Sequence, residues 1–220
     1  MLRVQEPEVM DTRRDAEEYD AMDFMDANMK FAEDAIALVK DVGAPLVLDI
    51  GVGTGQIPEL MLSRRGDMEM LAIDLAEEML KIATQRLAGA GLDDRCKLAR
   101  MDAKKLPLPD ATYDLVICNS TIHHIPDPRL VWKEIARVCK PSGAIMVRDL
   151  IRPPSMEDAW SIVNRVAAGD HIRQKQLFFD SLCAALELVE VDAMVKDAGL
   201  RHMRVIKCSD RHWTAERPAT

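Results

Sequence analysis

VLDIGVGTGQ, residues 47–56, decides how the rest of this chain is read. An apolar run holds Asp49 near its end, and three glycines follow at alternate positions, Gly51, Gly53 and Gly55. Residues 45–50 read as a buried strand and 56–65 as a helix, with Pro58 tolerated in its first turn. Glycine reaches positive φ and lets a backbone approach a ligand closely. The free N–H groups of a helix start face the same space. Strand, glycine turn and helix together make a ligand cradle. A dinucleotide calls for G-x-G-x-x-G, but Gln56 stands where the third glycine belongs. The Asp49 carboxylate suits a cation or an ammonium group better than a pyrophosphate. Both features disfavour a nicotinamide oxidoreductase.

The same rhythm continues outward. Strands are expected at 68–74, 96–101, 113–119 and 144–149, and a helix at 76–88 with Glu77 and Glu78 at its positive end. Asp127 caps a further helix that starts at Pro128, turns Val131, Ile135 and Val138 inward and is stopped by Pro141-Ser142-Gly143. This alternation predicts an α/β fold, a doubly wound, mostly parallel sheet with helices on both faces. Residues 1–14 are expected to be a loose arm. Residues 15–42 carry apolar side chains at helical spacing (Tyr19, Met22, Met25, Met29, Ala32, Ile36, Val39) and predict one or two helices. Residues 150–187 give two helical patterns, 155–168 and 171–186, and no strand. Such an insertion sits beside the C-terminal edge of the sheet as a lid or substrate wall. A helix from about 189, stopped by Gly199, and a strand at 203–208 follow; His212 and Trp213 either extend that strand or form a hairpin. One domain is expected: an N-terminal cap (15–42), a cofactor-binding core (43–149), an insertion (150–187) and a C-terminal helix with strands (188–220).

Bulk composition narrows the function. Of 220 residues, 48% are hydrophobic, enough for a core. Basic residues number 29 against 37 acidic, a net charge of −8, which gives no general attraction to nucleic acid or an anionic membrane. The five cysteines are scattered and form no C-x-x-C pair, which argues for reduced thiols in a cytosol. No apolar stretch is long enough to span a bilayer, and the first residues lack the apolar core of a signal peptide. The expectation is a cytoplasmic protein with a small-molecule partner, no nucleic acid and no stable membrane insertion.

Two further landmarks follow the glycines. Asp74 ends the second strand, where a carboxylate can accept both hydroxyls of a ribose. Asp102-Ala103 ends the third, where an acidic side chain and a backbone N–H can read an adenine edge. VLDIGVGTG, LAIDLAEEML, MDAKKLPLPD, YDLVICNSTIHHI and RVCKPSGAIMVRD, in this order and spacing, resemble the class I S-adenosylmethionine-dependent methyltransferases. The similarity runs from about residue 30 to 150 and is nearest in character to the small-molecule branch that includes the ubiquinone and menaquinone C-methyltransferases. It implies a seven-stranded Rossmann-like sheet, S-adenosylmethionine as methyl donor and S-adenosylhomocysteine as product. It also implies roles at the matching positions. Gly51, Gly53 and Gly55 would line the methionine part, and Asp49 would help hold its amino group. Asp74 would bind the ribose and Leu75 would lie against the adenine. Asp102 and Ala103 would read the adenine, and Asn119 would border the sulfonium.

The implied activity is methyl transfer to a carbon, oxygen or nitrogen of a small molecule. A non-catalytic regulator or scaffold that binds the same cofactor is the alternative. Candidate bases are His123 and His124. No metal is expected, because two adjacent histidines are not a metal site without further ligands. Tyr19, Arg148 and Asp149 are candidates for acceptor contact, and Arg152, His171, Arg173 and the segment 209–213 are weaker ones. After the fourth strand, Asn119-Ser120-Thr121-Ile122 lacks the paired prolines of enzymes that methylate nucleic-acid amino groups.

Overall fold

A computed structural model describes residues 1–9 and 11–220. Two helices, α1 (Arg13–Asp20) and α2 (Met25–Leu38), precede the sheet. The core then alternates β1 (Leu46–Ile50), α3 (Gln56–Arg64), β2 (Glu69–Asp74), α4 (Glu77–Gly89), β3 (Cys96–Arg100) and β4 (Tyr113–Asn119). A 3-10 turn, Ile122–His124, leads to α5 (Pro128–Val138) and β5 (Cys139–Leu150). After the insertion helices α6 (Met156–Val166) and α7 (Ile172–Ala184) come α8 (Leu188–Asp197), β6 (Arg204–Lys207) and β7 (His212–Arg217). The seven strands lie in the order β3-β2-β1-β4-β5-β7-β6. β1 to β5 run parallel, and β7 is antiparallel to both its neighbours. The expected α/β, doubly wound, mostly parallel sheet is therefore present.

Strand alternation builds the two faces. Leu48, Ile50, Val116, Ile145 and Val147 pack with Val131, Trp132, Ile135 and Val138 of α5 and Val191 of α8. Val47, Leu115, Ile117 and Met146 pack on the other side with Phe31, Ala32 and Ala35 of α2 and Met61 and Leu62 of α3. Both faces are covered, which is why these strands read as continuous apolar runs. Order reverses between β1 and β4, so the crevice of an open α/β sheet falls beyond their C-terminal ends.

Several expectations change in detail. Pro141-Ser142-Gly143 does not stop α5, which ends at Val138. Residues 140–143 bulge within β5, between the pairs Tyr113–Cys139 and Leu115–Ala144. A Cβ on Gly143 would lie 2.9 Å from the Tyr113 carbonyl oxygen, so the bulge needs glycine there. Ser155 and His171 are N-caps of α6 and α7 rather than their first turns. Residues 204–217 form a hairpin, with Trp213 fully buried 6.4 Å from Trp132.

The N-terminal arm is not loose. Val4 N–H donates to the Cys183 carbonyl at 3.0 Å, and Arg3 donates to the carbonyls of Ala184, His123 and Ile125. Glu8 pairs with Lys104, and the Asp11 carboxylate accepts from the N–H of Glu78 at the start of α4. Periodicity cannot reveal such a segment, because its partners are carbonyls and loop charges distant in sequence. The insertion forms a satellite core from Ala159, Val163, Leu182 and Leu150, with Trp160 stacked on Phe179 at 4.4 Å.

Candidate cofactor site

A cleft of about 1030 Å³, part of it open to solvent, lies at the C-terminal ends of β1, β2 and β4. Gly51, Gly53, Asp74, Leu75, Asp102, Ala103, Asn119, Tyr19 and His124 line it. Asp49, Gly55, His123, Arg148 and Asp149 do not.

The glycines serve different purposes. Gly51 has φ +77°, and a Cβ there would sit 2.1 Å from Thr121 Oγ1. Its N–H and that of Val52 donate to the Ile73 carbonyl at 2.8 and 2.9 Å, which fixes the turn against β2. Gly55 has φ +83°, and its Cβ would lie 3.0 Å from that of Ala83, so it lets α3 and α4 approach rather than facing the cleft. Gln56, at the failed third-glycine position, accepts from Asn28 Nδ2 at 2.8 Å and ties α2 to the turn.

Asp74 is anchored from both sides. Its Oδ2 accepts from Gly53 N–H at 2.8 Å and its Oδ1 from Ala76 N–H at 2.9 Å. Burial still pushes its pKa upward. Each oxygen keeps a further lone pair, enough to receive a diol. Asp49 is 2% exposed, and burial together with the charge of Asp74 pushes its pKa up to about 8. Its Oδ2 has no hydrogen-bond partner among the described residues. A buried acid without a partner, directly behind a glycine turn, is suited to an ammonium group. On Asp102, burial is outweighed by the Lys104 backbone N–H and ammonium, each at 2.9 Å, and the carboxyl is held below its usual range. Burial and the Asp74 charge push Tyr19 up to about 12, so it stays a neutral phenol.

The histidines divide. His123 is 3% exposed, and its Nδ1 lies 2.5 Å from Asp149 Oδ1. Asp149 also accepts from the N–H groups of His123 and Leu150. Burial opposes charge on His123, but Asp149 prevails and the pKa rises. His123 is thus locked behind the cleft wall, out of direct reach of an acceptor. His124 does border the cleft, but burial and then the charge of His123 push its pKa down to about 3, too low for an effective base near neutral pH. Of the two candidate bases, His124 thus lines the cleft and His123 stands behind it.

Arg148 is also away from the cleft. It holds Asp34 of α2 and Thr214 of β7, each at 2.8 Å, and covers the Phe31 ring. Asp149 belongs to His123. Arg152 pairs with Glu187 and Glu190, and Arg173 with Asp15 and Glu18. Segment 209–213 makes the end of the hairpin turn and the start of β7, with Ser209 Oγ bonded to His212. These side chains link elements of the fold to one another. Sequence reasoning missed Glu8 and Val9 of the arm, Asn28 and Thr121, all on the cleft wall. Thr121 alone carried a signal, since it faces a glycine turn across the strand ends.

Comparison with known proteins agrees with this geometry. A family model described as a methyltransferase domain matches residues 48–147. The chain is 31% identical over 157 residues to 27-O-demethylrifamycin SV methyltransferase of Amycolatopsis mediterranei, covering 70% of this chain and 53% of that protein. It is 32% identical over 129 residues to a ubiquinone/menaquinone biosynthesis C-methyltransferase of Desulfotalea psychrophila, covering 59% and 51%. The chain spans about half the length of the curated relatives it matches. A solved structure, a SAM dependent methyltransferase from Aquifex aeolicus, shares the fold with a TM-score of 0.67 at 21% identity, covering 95% of this chain and 99% of that one.

Proposed function

The chain carries a class I S-adenosylmethionine-dependent methyltransferase domain, and from that premise we propose that it transfers a methyl group from this cofactor to a small molecule held in the cleft. The observation that carries the reading is the pairing of two buried carboxylates around one glycine turn. Asp74 is fixed by backbone N–H groups with lone pairs free for a ribose, and Asp49 stands without a partner behind Gly51. Leu75 and Ala103 supply walls for an adenine, with Asp102 as its polar reader. When bound, the sulfonium supplies an electrophilic methyl group. Tyr19, Asn119 and Thr121 would border the reacting group, with Glu8 and Val9 of the arm as a further wall. Alignment and desolvation of this kind contribute up to about 7–11 kcal/mol in well-oriented systems.

The acceptor is a small molecule, as the relatives' names indicate for them. His124, on the cleft wall, is placed to contact it. The five cysteines are free thiols, which supports a reducing compartment such as the cytoplasm. Among the described residues no helix is long and apolar enough to cross a membrane.

Isothermal titration with S-adenosylhomocysteine tests the cofactor assignment. Micromolar binding is expected for the wild type, with Asp74→Ala weaker by more than about tenfold, or 1.4 kcal/mol. Equal affinity in the variant would remove the ribose assignment. Binding without turnover on any screened acceptor would favour the regulator reading.

A further inference from the structure

Three atoms with metal-ligand chemistry meet beside the cleft: Oε1 of Glu6 on the arm, Nε2 of His123 and Nδ1 of His124. The Glu6 oxygen lies 3.4 Å from the first nitrogen and 3.3 Å from the second, and all three lie within 4.8 Å of one another. The Glu6 side chain is 9% exposed and that of His123 4%. Glu6 Oε1 and His124 Nδ1 have no hydrogen-bond partner among the described residues. On the far side of His123, the Asp149 carboxylate is an acceptor that binds Nδ1. With Nδ1 taken by Asp149, a metal ion would be bound at Nε2 in place of the proton that faces Glu6 when the ring is charged. Two imidazole nitrogens and a carboxylate oxygen converge at one place beside the cleft.

We propose that Glu6, His123 and His124 form a binding site for one divalent transition-metal ion, with Asp149 as the outer carboxylate that orients His123. Two nitrogens and one oxygen suit zinc and its neighbours rather than magnesium or calcium. A tetrahedral ion with bonds of about 2.0–2.1 Å sets its ligands about 3.3 Å apart, the spacing found on both sides of Glu6. A carboxylate behind a ligating histidine is the usual support of such a site. The nearest cation, Arg3, is engaged by the carbonyls of Ala184, His123 and Ile125. The ion fastens the arm to the turn that borders the cleft. Three protein ligands leave a further position for water or an acceptor oxygen, and only that last assignment rests on the methyl-transfer reading.

The test uses the whole chain, stripped with a chelator. Zinc is titrated by calorimetry and Co²⁺ by visible absorption. One ion per chain is expected, with the intense bands of a four- or five-coordinate Co²⁺ centre. Glu6→Gln and His124→Gln each weaken binding about tenfold or more, and Asp149→Asn by about 10–100-fold. Exposed His202→Gln leaves it unchanged. Glu6 lies outside the sheet, so Glu6→Gln keeps the fold, checked by circular dichroism. Absent zinc binding, or binding that Glu6→Gln and His124→Gln leave intact, overturns the proposal. In the second case the ion belongs elsewhere, with exposed Cys208 the first place to look. S-adenosylhomocysteine affinity of the same metal-free samples separates this failure from failure of the cofactor reading.

Discussion

Gly51 and Asp49 show how much one residue decides in this cleft. Gly51→Ala places a methyl group inside the Thr121 side chain and forces an L-residue to φ +77°. The backbone strain alone costs about 1–3 kcal/mol. We expect a lower melting temperature and no measurable S-adenosylhomocysteine binding; unaltered binding would show that the turn relaxes freely. Asp49 makes the opposite kind of prediction. Its folded pKa of about 8 lies above the unfolded value of about 3.9. Between these values the native state binds more protons, so Asp49 lowers stability as pH rises through that window. Asp49→Asn is expected to stabilise the ligand-free protein at pH 8, to change it little at pH 5, and to weaken cofactor binding. Urea denaturation of both proteins at the two pH values measures this. A stability gap that does not widen with pH would mean that Asp49 titrates normally.

At the scale of elements, the arm couples to the cleft through Lys104. This lysine pairs with Glu8 of the arm and with Asp102, the expected reader of the adenine. Glu8 and Val9 also belong to the cleft wall. A ligand in the cleft would therefore lie against the arm. Removing residues 2–9 is expected to speed S-adenosylhomocysteine dissociation about tenfold, a loss near 1.4 kcal/mol, without slowing association. Stopped-flow displacement would detect it, and an unchanged off-rate would make the arm a bystander. Insertion and cap are joined as well, because Arg173 of α7 holds Asp15 and Glu18 of α1.

For the whole molecule, a ligand that binds only the folded state stabilises it by mass action. At one hundred times its dissociation constant, S-adenosylhomocysteine contributes about 2.7 kcal/mol. In a chain of this size that raises the melting temperature by about 5–11 °C. A scan with NADH under the same conditions is expected to show no shift. A shift with NADH instead would return the oxidoreductase reading.

Local signals were enough for the sheet, the glycine turn and Asp74. Each rests on short-range rules: apolar runs bounded by turns, glycine where φ is positive, and a carboxylate at a strand end. They place Asp74 and Asp102 correctly at the cleft because parallel strands all end on one side. Tertiary structure decided the rest. Arg148 resembled a site residue by its place at a strand end, but its side chain turns to Asp34 and Thr214. His123 looked free to act as a base until Asp149, 26 residues on, proved to hold its ring. Glu6 carried no signal at all, since its histidine neighbours lie more than a hundred residues away. Periodicity and turn chemistry report on neighbours along the chain. Charges find their partners through space, and only the folded chain brings those partners within reach.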